Sequence, residues 1–203
     1  MRILALDAAG ERCSACLLED GVILAEAEQQ AAFGQPAILP GLVARVLAGR
    51  AIDHVAVGVG PGGFTGIRTA LALALGLADG HGVGISGVSA REALALLAEN
   101  PAGREVWSAI DNRRGGIFLE RPGEVPLSLA EAALPAPMRP VLVAGNAAAR
   151  VVARLLARGQ PAGLGRIAGT QARGVAMAAA AALAAGLPLG AAAPLYIDQP
   201  AVT

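Results

Sequence analysis

The chain has 203 residues with 16 basic and 16 acidic side chains, a length that suits one domain or two small lobes and a neutral balance that argues against a nucleic-acid-gripping surface. Hydrophobic residues make up 55% and aromatics only 2%, so the core must be built from Ala, Leu, Val and Ile. The first acidic residue, Asp7, comes too early for a signal peptide, and a cytoplasmic protein without a membrane segment is expected.

Ile3 to Leu6 predicts a strand ending in Asp7, and Cys13 to Leu18 a second. Asp20-Gly21 is a hairpin turn into a third strand, Val22 to Ala27. Ile38, Leu39, Leu42, Val43, Val46 and Leu47 then recur at helical spacing, with Pro36 and Pro40 confined to the start and Gly49 past the end. The stretch Val55 to Arg68, VAVGVGPGGFTGIR, predicts a strand, a tight loop and the start of a helix that runs from Thr65 to about Asp79. A strand near Val83 to Val88 and a helix from Ser89 to about Glu99 follow, the latter opened by a capping box of Ser89 and Glu92.

Asn100-Pro101-Ala102-Gly103 marks the expected boundary between a lobe of residues 1–102 and a smaller one of residues 103–203. Glu105 to Ile110 and Gly116 to Glu120 read as a hairpin, Pro122 to Pro140 as a Pro-rich connection, and Val141 to Ala144 as a strand. Gly145-Asn146 turns into a helix reaching about Arg158, and a helix from Gln171 to about Ala185 is expected to close the second lobe. Gly174 to Ile197 carries no charge, but Gly186, Pro188, Gly190 and Pro194 interrupt it, which favours a packed helix and an extended tail over a membrane span. Three antiparallel strands followed by alternating helix and strand is the α/β, ribonuclease-H-like plan of actin-like and sugar-kinase folds.

The glycine loop, Gly58, Gly60, Pro61, Gly62, Gly63, Thr65 and Gly66, carries the strongest local signal. Gly58, Gly60 and Gly63 match G-x-G-x-x-G, yet no acidic residue closes the next strand, as a dinucleotide site requires. No Lys-Ser or Lys-Thr follows, as a P-loop requires. A loop of this kind at a helix N-terminus suits an anion or a close protein contact, and a tight connection without ligand is the plain alternative.

Cys13 and Cys16 have C-x-x-C spacing, but residues three apart in a strand point to opposite faces ~10 Å apart, beyond disulfide reach. His54 and His81 flank separate elements and form no metal-binding pair. Asp7 stands where kinases of this fold carry a phosphate-site carboxylate, without a paired carboxylate or a second phosphate loop. No catalytic residue, metal or cofactor is expected.

Ile3-Leu4-Ala5-Leu6-Asp7, Val57 to Arg68, Gly87-Val88-Ser89, Ile110 to Arg114, Gly145-Asn146 and Pro194-Leu195-Tyr196-Ile197 resemble the TsaB/YeaZ family, most specifically in G-P-G-x-F-T-G-x-R. The resemblance implies an actin-like (ASKHA) fold and a non-catalytic scaffold that serves threonylcarbamoylation of the adenosine beside the anticodon of tRNA. It implies a TsaD-like catalytic subunit and a TsaE-like ATPase as partners, a homodimer when alone, and contact with tRNA only through the complex. Family interfaces use the first two helices, here Leu39, Leu42, Val43, Val46 and Leu47, and Ala70, Leu71, Leu73, Ala74, Leu75, Leu77 and Ala78. Leu71 with Leu75, or Leu73 with Leu77, is expected to face the partner while the other pair faces the core. The chain departs from the family pattern at Gly34-Gln35, Gly63, Asn112 and Asp198, which weakens a ligand role there. An enzyme of the same fold, a small-molecule kinase or a metallopeptidase, is the alternative.

Overall fold

A computed structural model describes residues 1–31, 33–100 and 102–197. Strands β1 (Arg2–Asp7), β2 (Arg12–Glu19) and β3 (Val22–Gln30) form the expected antiparallel meander. Helix α1 (Gln35–Leu47) leads to β4 (His54–Gly60), α2 (Phe64–His81) and β5 (Gly84–Ser89). β4 pairs parallel with β1 and β5 parallel with β4, giving a five-stranded sheet in the order β3-β2-β1-β4-β5. The crossovers β3-α1-β4 and β4-α2-β5 lay both helices on one face of that sheet, where Leu39, Val43, Val46, Ile67, Ala70 and Ala74 fill one core with Leu4, Leu6 and Val57.

Helix α3 (Ala90–Leu97) begins with the predicted capping box: Ser89 Oγ accepts from Glu92 N–H, and the Glu92 carboxylate accepts from Ser89 N–H at 2.7 Å. Strands β6 (Glu105–Asp111), β7 (Ile117–Glu120), β8 (Leu127–Leu129), β9 (Val141–Ala144) and β10 (Ala162–Leu164) make a second sheet in the order β10-β9-β6-β7-β8, with α4 (Ala148–Ala157) over it. The Pro-rich connection therefore holds a short strand and a 3-10 turn at Glu131–Ala133, and β10 occupies a segment with no strand signal. Both added strands are three-residue edge strands, one closely flanked by proline and one containing glycine. They lack the alternation that identifies a strand from sequence.

Helix α5 (Ala172–Ala184) corrects one expectation. It does not close the second lobe but packs on the first sheet, opposite α1 and α2, where Ala172, Val175, Ala176 and Ala179 meet Ile3, Ala5, Cys16 and Leu18. Its alanine-rich surface allows this, because small side chains let the helix approach both the sheet and α3 closely. A Cβ on Gly174 would lie 2.5 Å from the Ala93 carbonyl oxygen. Cys13 and Cys16 point to opposite faces of β2, one into each core, and burial pushes both thiols up, Cys16 to about 12. They are inert core residues. Among the described residues no helix is long and apolar enough to cross a membrane.

Candidate functional site

The glycine loop is filled by the chain's own backbone. It sits on the β1–β2 connection, with Gly63 N–H donating to the Ala9 carbonyl at 2.7 Å. A Cβ at Gly62 would lie 2.3 Å from that oxygen, and one at Gly66 would lie 1.9 Å from the Ala8 carbonyl oxygen. Glycine is required at both places because a backbone, which cannot step aside, occupies the space. Two carbonyl oxygens thus lie against the start of α2, where the helix dipole favours negative charge, in the position an anion would take. The loop's contact is with its own chain, as in the tight strand-to-helix connection that was the plain alternative. Gly60 adopts φ 95° and Pro61 follows it, while Thr65 at the helix start accepts from the Thr69 hydroxyl through its carbonyl.

Asp7 does not face an open phosphate site. Its side chain is 1% exposed. Oδ1 accepts from Thr170 Oγ1 at 2.9 Å and from Ala9 N–H at 3.3 Å, and Oδ2 has no hydrogen-bond partner. Oδ2 fills the space a Cβ on Gly58 would need, at 2.1 Å. Asp7 therefore ties β1 to the segment that leads into α5, a role that required the tertiary structure to see. Beside it a cleft of about 350 Å³, lined by Ala9, Gly10, Pro61, Asn146, Arg166 and Thr170 among others, lies between the two sheets.

Burial pushes the Asp7 carboxyl up to about 6, against the opposing effect of its hydrogen bonds to Thr170 and Ala9. Its folded pKa lies above the ordinary value of 3.8, so the folded state holds the proton more tightly. The stabilising contribution is present below about pH 4 and is lost as the pH rises through about 6. Asp7→Asn, which keeps the acceptor for Thr170, is expected to match the wild type at pH 4 and to exceed it at pH 8 by up to about 3 kcal/mol in urea unfolding. Equal stability across that range would show that Asp7 is ionised in place without penalty. Glu120, 4% exposed and accepting from Arg91 N–H at 3.0 Å at the start of α3, is a second buried carboxyl pushed up by burial, to about 7. Comparing the Asp7 variant with the wild type separates the two.

The residues proposed from sequence for a partner interface divide by burial. Leu39, Leu42, Val43 and Val46 of α1 and Ala70, Leu71, Ala74 and Ala78 of α2 are at most 5% exposed and belong to the chain's own core. Leu47, Leu73 and Leu77 are half-buried against that core, and Leu75 is 48% exposed. The Leu71/Leu75 pair is thus split between core and surface, because 40° of helix rotation is enough to pass the edge of the buried face. The surface of α2 also carries a cluster missed in the sequence. Phe64 stacks with Tyr196, ring centroids 5.8 Å apart, the Arg68 guanidinium lies 3.8 Å from the Phe64 centroid, and Arg68 Nε donates to the Tyr196 hydroxyl at 2.8 Å. The tail brings Tyr196 there through Leu195 N–H to the Val59 carbonyl and Gly87 N–H to the Gly190 carbonyl.

The positions that depart from the family pattern have local structural roles. Gly34 precedes α1 with φ 81°, and Gln35 is buried and donates to the Ala31 carbonyl. Asn112 shapes the β6–β7 turn by accepting from Arg114 and Gly116 N–H. Pro101 and Asp198 lie outside the described residues. His54 bonds Ser86 Oγ at 3.0 Å, and among the described residues no group of three His, Cys, Asp or Glu side chains is placed to hold a metal.

Residues 39–131 match the family model of TsaD, tRNA N6-adenosine threonylcarbamoyltransferase. The chain is 39% identical over 125 residues to the Escherichia coli tRNA threonylcarbamoyladenosine biosynthesis protein TsaB, covering 58% of this chain and 53% of that protein. It thus spans about half the length of the curated relatives it matches. A solved Pseudomonas aeruginosa protein described as similar to peptidase YeaZ superposes with a TM-score of 0.79 at 27% identity, covering 97% of this chain and 99% of that one. The ethanolamine utilization protein EutJ of Carboxydothermus hydrogenoformans shares the fold, with a TM-score of 0.53 at 12% identity over 87% of this chain and 89% of that one. In sequence, and in its two mixed sheets and glycine loop, the chain is similar to TsaB and YeaZ proteins, and it shares the fold of the solved Pseudomonas aeruginosa structure.

Proposed function

We infer that this chain acts in threonylcarbamoyladenosine formation on tRNA as a non-catalytic subunit, in which a lobe of residues 1–102 contacts and supports a TsaD-like catalytic partner. The observation that carries this reading is the occupied glycine loop. The start of α2 and the Asp7 carboxylate, the two features an actin-like enzyme would turn toward a substrate, are engaged with Ala8, Ala9, Gly58 and Thr170 of the same chain. α1 and α2 lie side by side on one face of the first sheet and offer their outer sides to a partner. A TsaE-like ATPase joins the assembly, tRNA is met through it, and the chain pairs with itself when alone. The neutral charge balance fits indirect tRNA contact.

Reconstitution tests this directly. The purified chain is expected to transfer no threonylcarbamoyl group and to retain no tRNA at physiological salt, and transfer is expected to appear when the catalytic subunit and the ATPase are added. Transfer by the chain alone, or a tRNA complex that survives that salt, overturns the reading.

A further inference from the structure

Helix α3 is the joint between the two sheets. One side of it, at Ala93, packs with α5 against the first sheet, and another, at Ala90 and Leu94, packs with Val106, Ile110 and Leu142 of the second. At the start of this joint the chain buries a carboxyl. Glu120, the last residue of β7, is 4% exposed, and its Oε2 accepts from Arg91 N–H in the first turn of α3 at 3.0 Å. The Ser89 hydroxyl, whose oxygen already accepts from Glu92 N–H, donates its own proton to the same carboxyl.

We propose that Glu120 is a proton-operated clasp between α3 and the second sheet, closed while its carboxyl is neutral and loosened when it ionises, with the Ser108 hydroxyl as the donor held in reserve for the ionised form. The clasp belongs to the chain alone and does not depend on a partner subunit.

Ser108 carries the assignment. It stands directly opposite Glu120 in the β6–β7 pair, so the two side chains leave the sheet on the same side with Cβ atoms about 5 Å apart. Ser108 is fully buried, and its Oγ has no hydrogen-bond partner. An idle hydroxyl in a core costs stability, and such groups call for an explanation. Here the position supplies one. A neutral carboxyl is served by the Arg91 N–H and Ser89, whereas a carboxylate has to replace the hydration it lost on burial, and a turn of Ser108 toward it adds a hydrogen bond to the charged form.

Burial pushes the Glu120 carboxyl up from 4.5 to about 7, against its hydrogen bonds from Arg91 N–H and Ser89 and the attraction of the Arg91 guanidinium, while the Glu92 charge adds to the rise. Those two charges both lie on α3. From β6 the side chains on that side are Val106, Ser108 and Ile110, which bring no charge. Arg121, next in the chain, turns to the other side of the sheet, where it pairs with Glu124 and lies over the Trp107 ring. The folded chain holds the Glu120 proton more tightly than the unfolded chain does, so this stabilisation is complete below about pH 4.5 and is lost as the pH rises through about 7. Ionisation sets a charge at the rim of the apolar seam of Ala90 and Leu94 and weakens the hold of α3 on the second sheet.

Two measurements on the full chain test the clasp. The Glu120 carboxyl carbon, followed by NMR, is expected to titrate with a midpoint near 7, and Ser108→Ala is expected to raise that midpoint because the ionised form loses its reserve donor. Amide exchange reads the joint itself. At pH 8 the Arg91 amide of the wild type is expected to exchange about tenfold faster than that of Glu120→Gln, which stays neutral and keeps an acceptor for Arg91 N–H, and at pH 5 the two are expected to exchange alike. Asp7→Asn is expected to preserve the contrast between the two pH values, which separates Glu120 from the other buried carboxyl. Circular dichroism checks the fold, and if Glu120→Gln does not fold, the wild-type titration and Ser108→Ala still decide. A midpoint near the ordinary 4.5, a midpoint that Ser108→Ala leaves unmoved or lowers, equal Arg91 exchange at pH 8, or a contrast lost in Asp7→Asn would each overturn the proposal.

Discussion

Gly66→Val and Gly62→Val are expected to remove most of the stability of this protein, each lowering it by about 3 to 5 kcal/mol in thermal or urea unfolding. The added Cβ would stand 1.9 Å from the Ala8 carbonyl oxygen in the first case and 2.3 Å from that of Ala9 in the second. Both obstacles are backbone atoms of the β1–β2 connection, and relieving the overlap means separating the start of α2 from β1. Gly60→Val adds a side chain at φ 95°, where the Ile67 side chain would lie 2.6 Å away, and is expected to fall in the same class. Gly76→Ala is the control on the same helix: nothing lies within 4 Å of its Cβ position, and it is expected to gain up to about 1 kcal/mol from helix propensity. A Gly66→Val protein that melts like the wild type yet no longer captures the catalytic subunit would make the loop a contact surface, not a packing joint.

Arginine at two leucines one helical turn apart on α2 is expected to give opposite phenotypes. Leu71 is 5% exposed and packs with Ile67, Ala70 and Ala74 against the first sheet. Leu71→Arg places an unpaired charge in that core, at a cost of several kcal/mol, which is comparable to the whole stability of a domain. Little soluble folded protein should result. Leu75 is 48% exposed. Leu75→Arg should keep the circular dichroism spectrum and melting temperature of the wild type within about 0.5 kcal/mol of stability, as surface substitutions do, and should lose association with a second copy and with the catalytic subunit. Folded Leu75→Arg protein that still makes both associations would remove α2 from the interface.

Local pattern was strong enough to place most of the fold. The opening meander, α1, β4, α2, α3 with its capping box, the β6–β7 hairpin and α4 all follow from apolar spacing bounded by Gly, Pro and capping residues, signals that act over a few residues. β8 and β10 were not legible, because three-residue strands at a sheet edge are held by the neighbouring strand and carry no period of their own. The destination of α5 was not legible either. A helix of alanines has a weak preference for any face, and only the space between α3 and the outer face of the first sheet decides where it packs.

The glycine loop divides the same way. Spacing alone excluded a dinucleotide fingerprint and a P-loop, and it required a tight turn into a helix, because those properties lie in consecutive residues. Sequence alone therefore determined most of the elements and the family pattern. What fills the loop was decided by contacts with residues more than 50 positions earlier, the carbonyls of Ala8 and Ala9, and the state of Asp7 by Thr170, 163 positions later. Which leucines of α2 are surface was decided by the sheet beneath it, and the Arg68 anchor by Tyr196 from the far end of the chain. Periodicity reports that a helix has an apolar side. Only packing determines how wide that side is, since burial depends on which atoms from distant segments arrive at its edge.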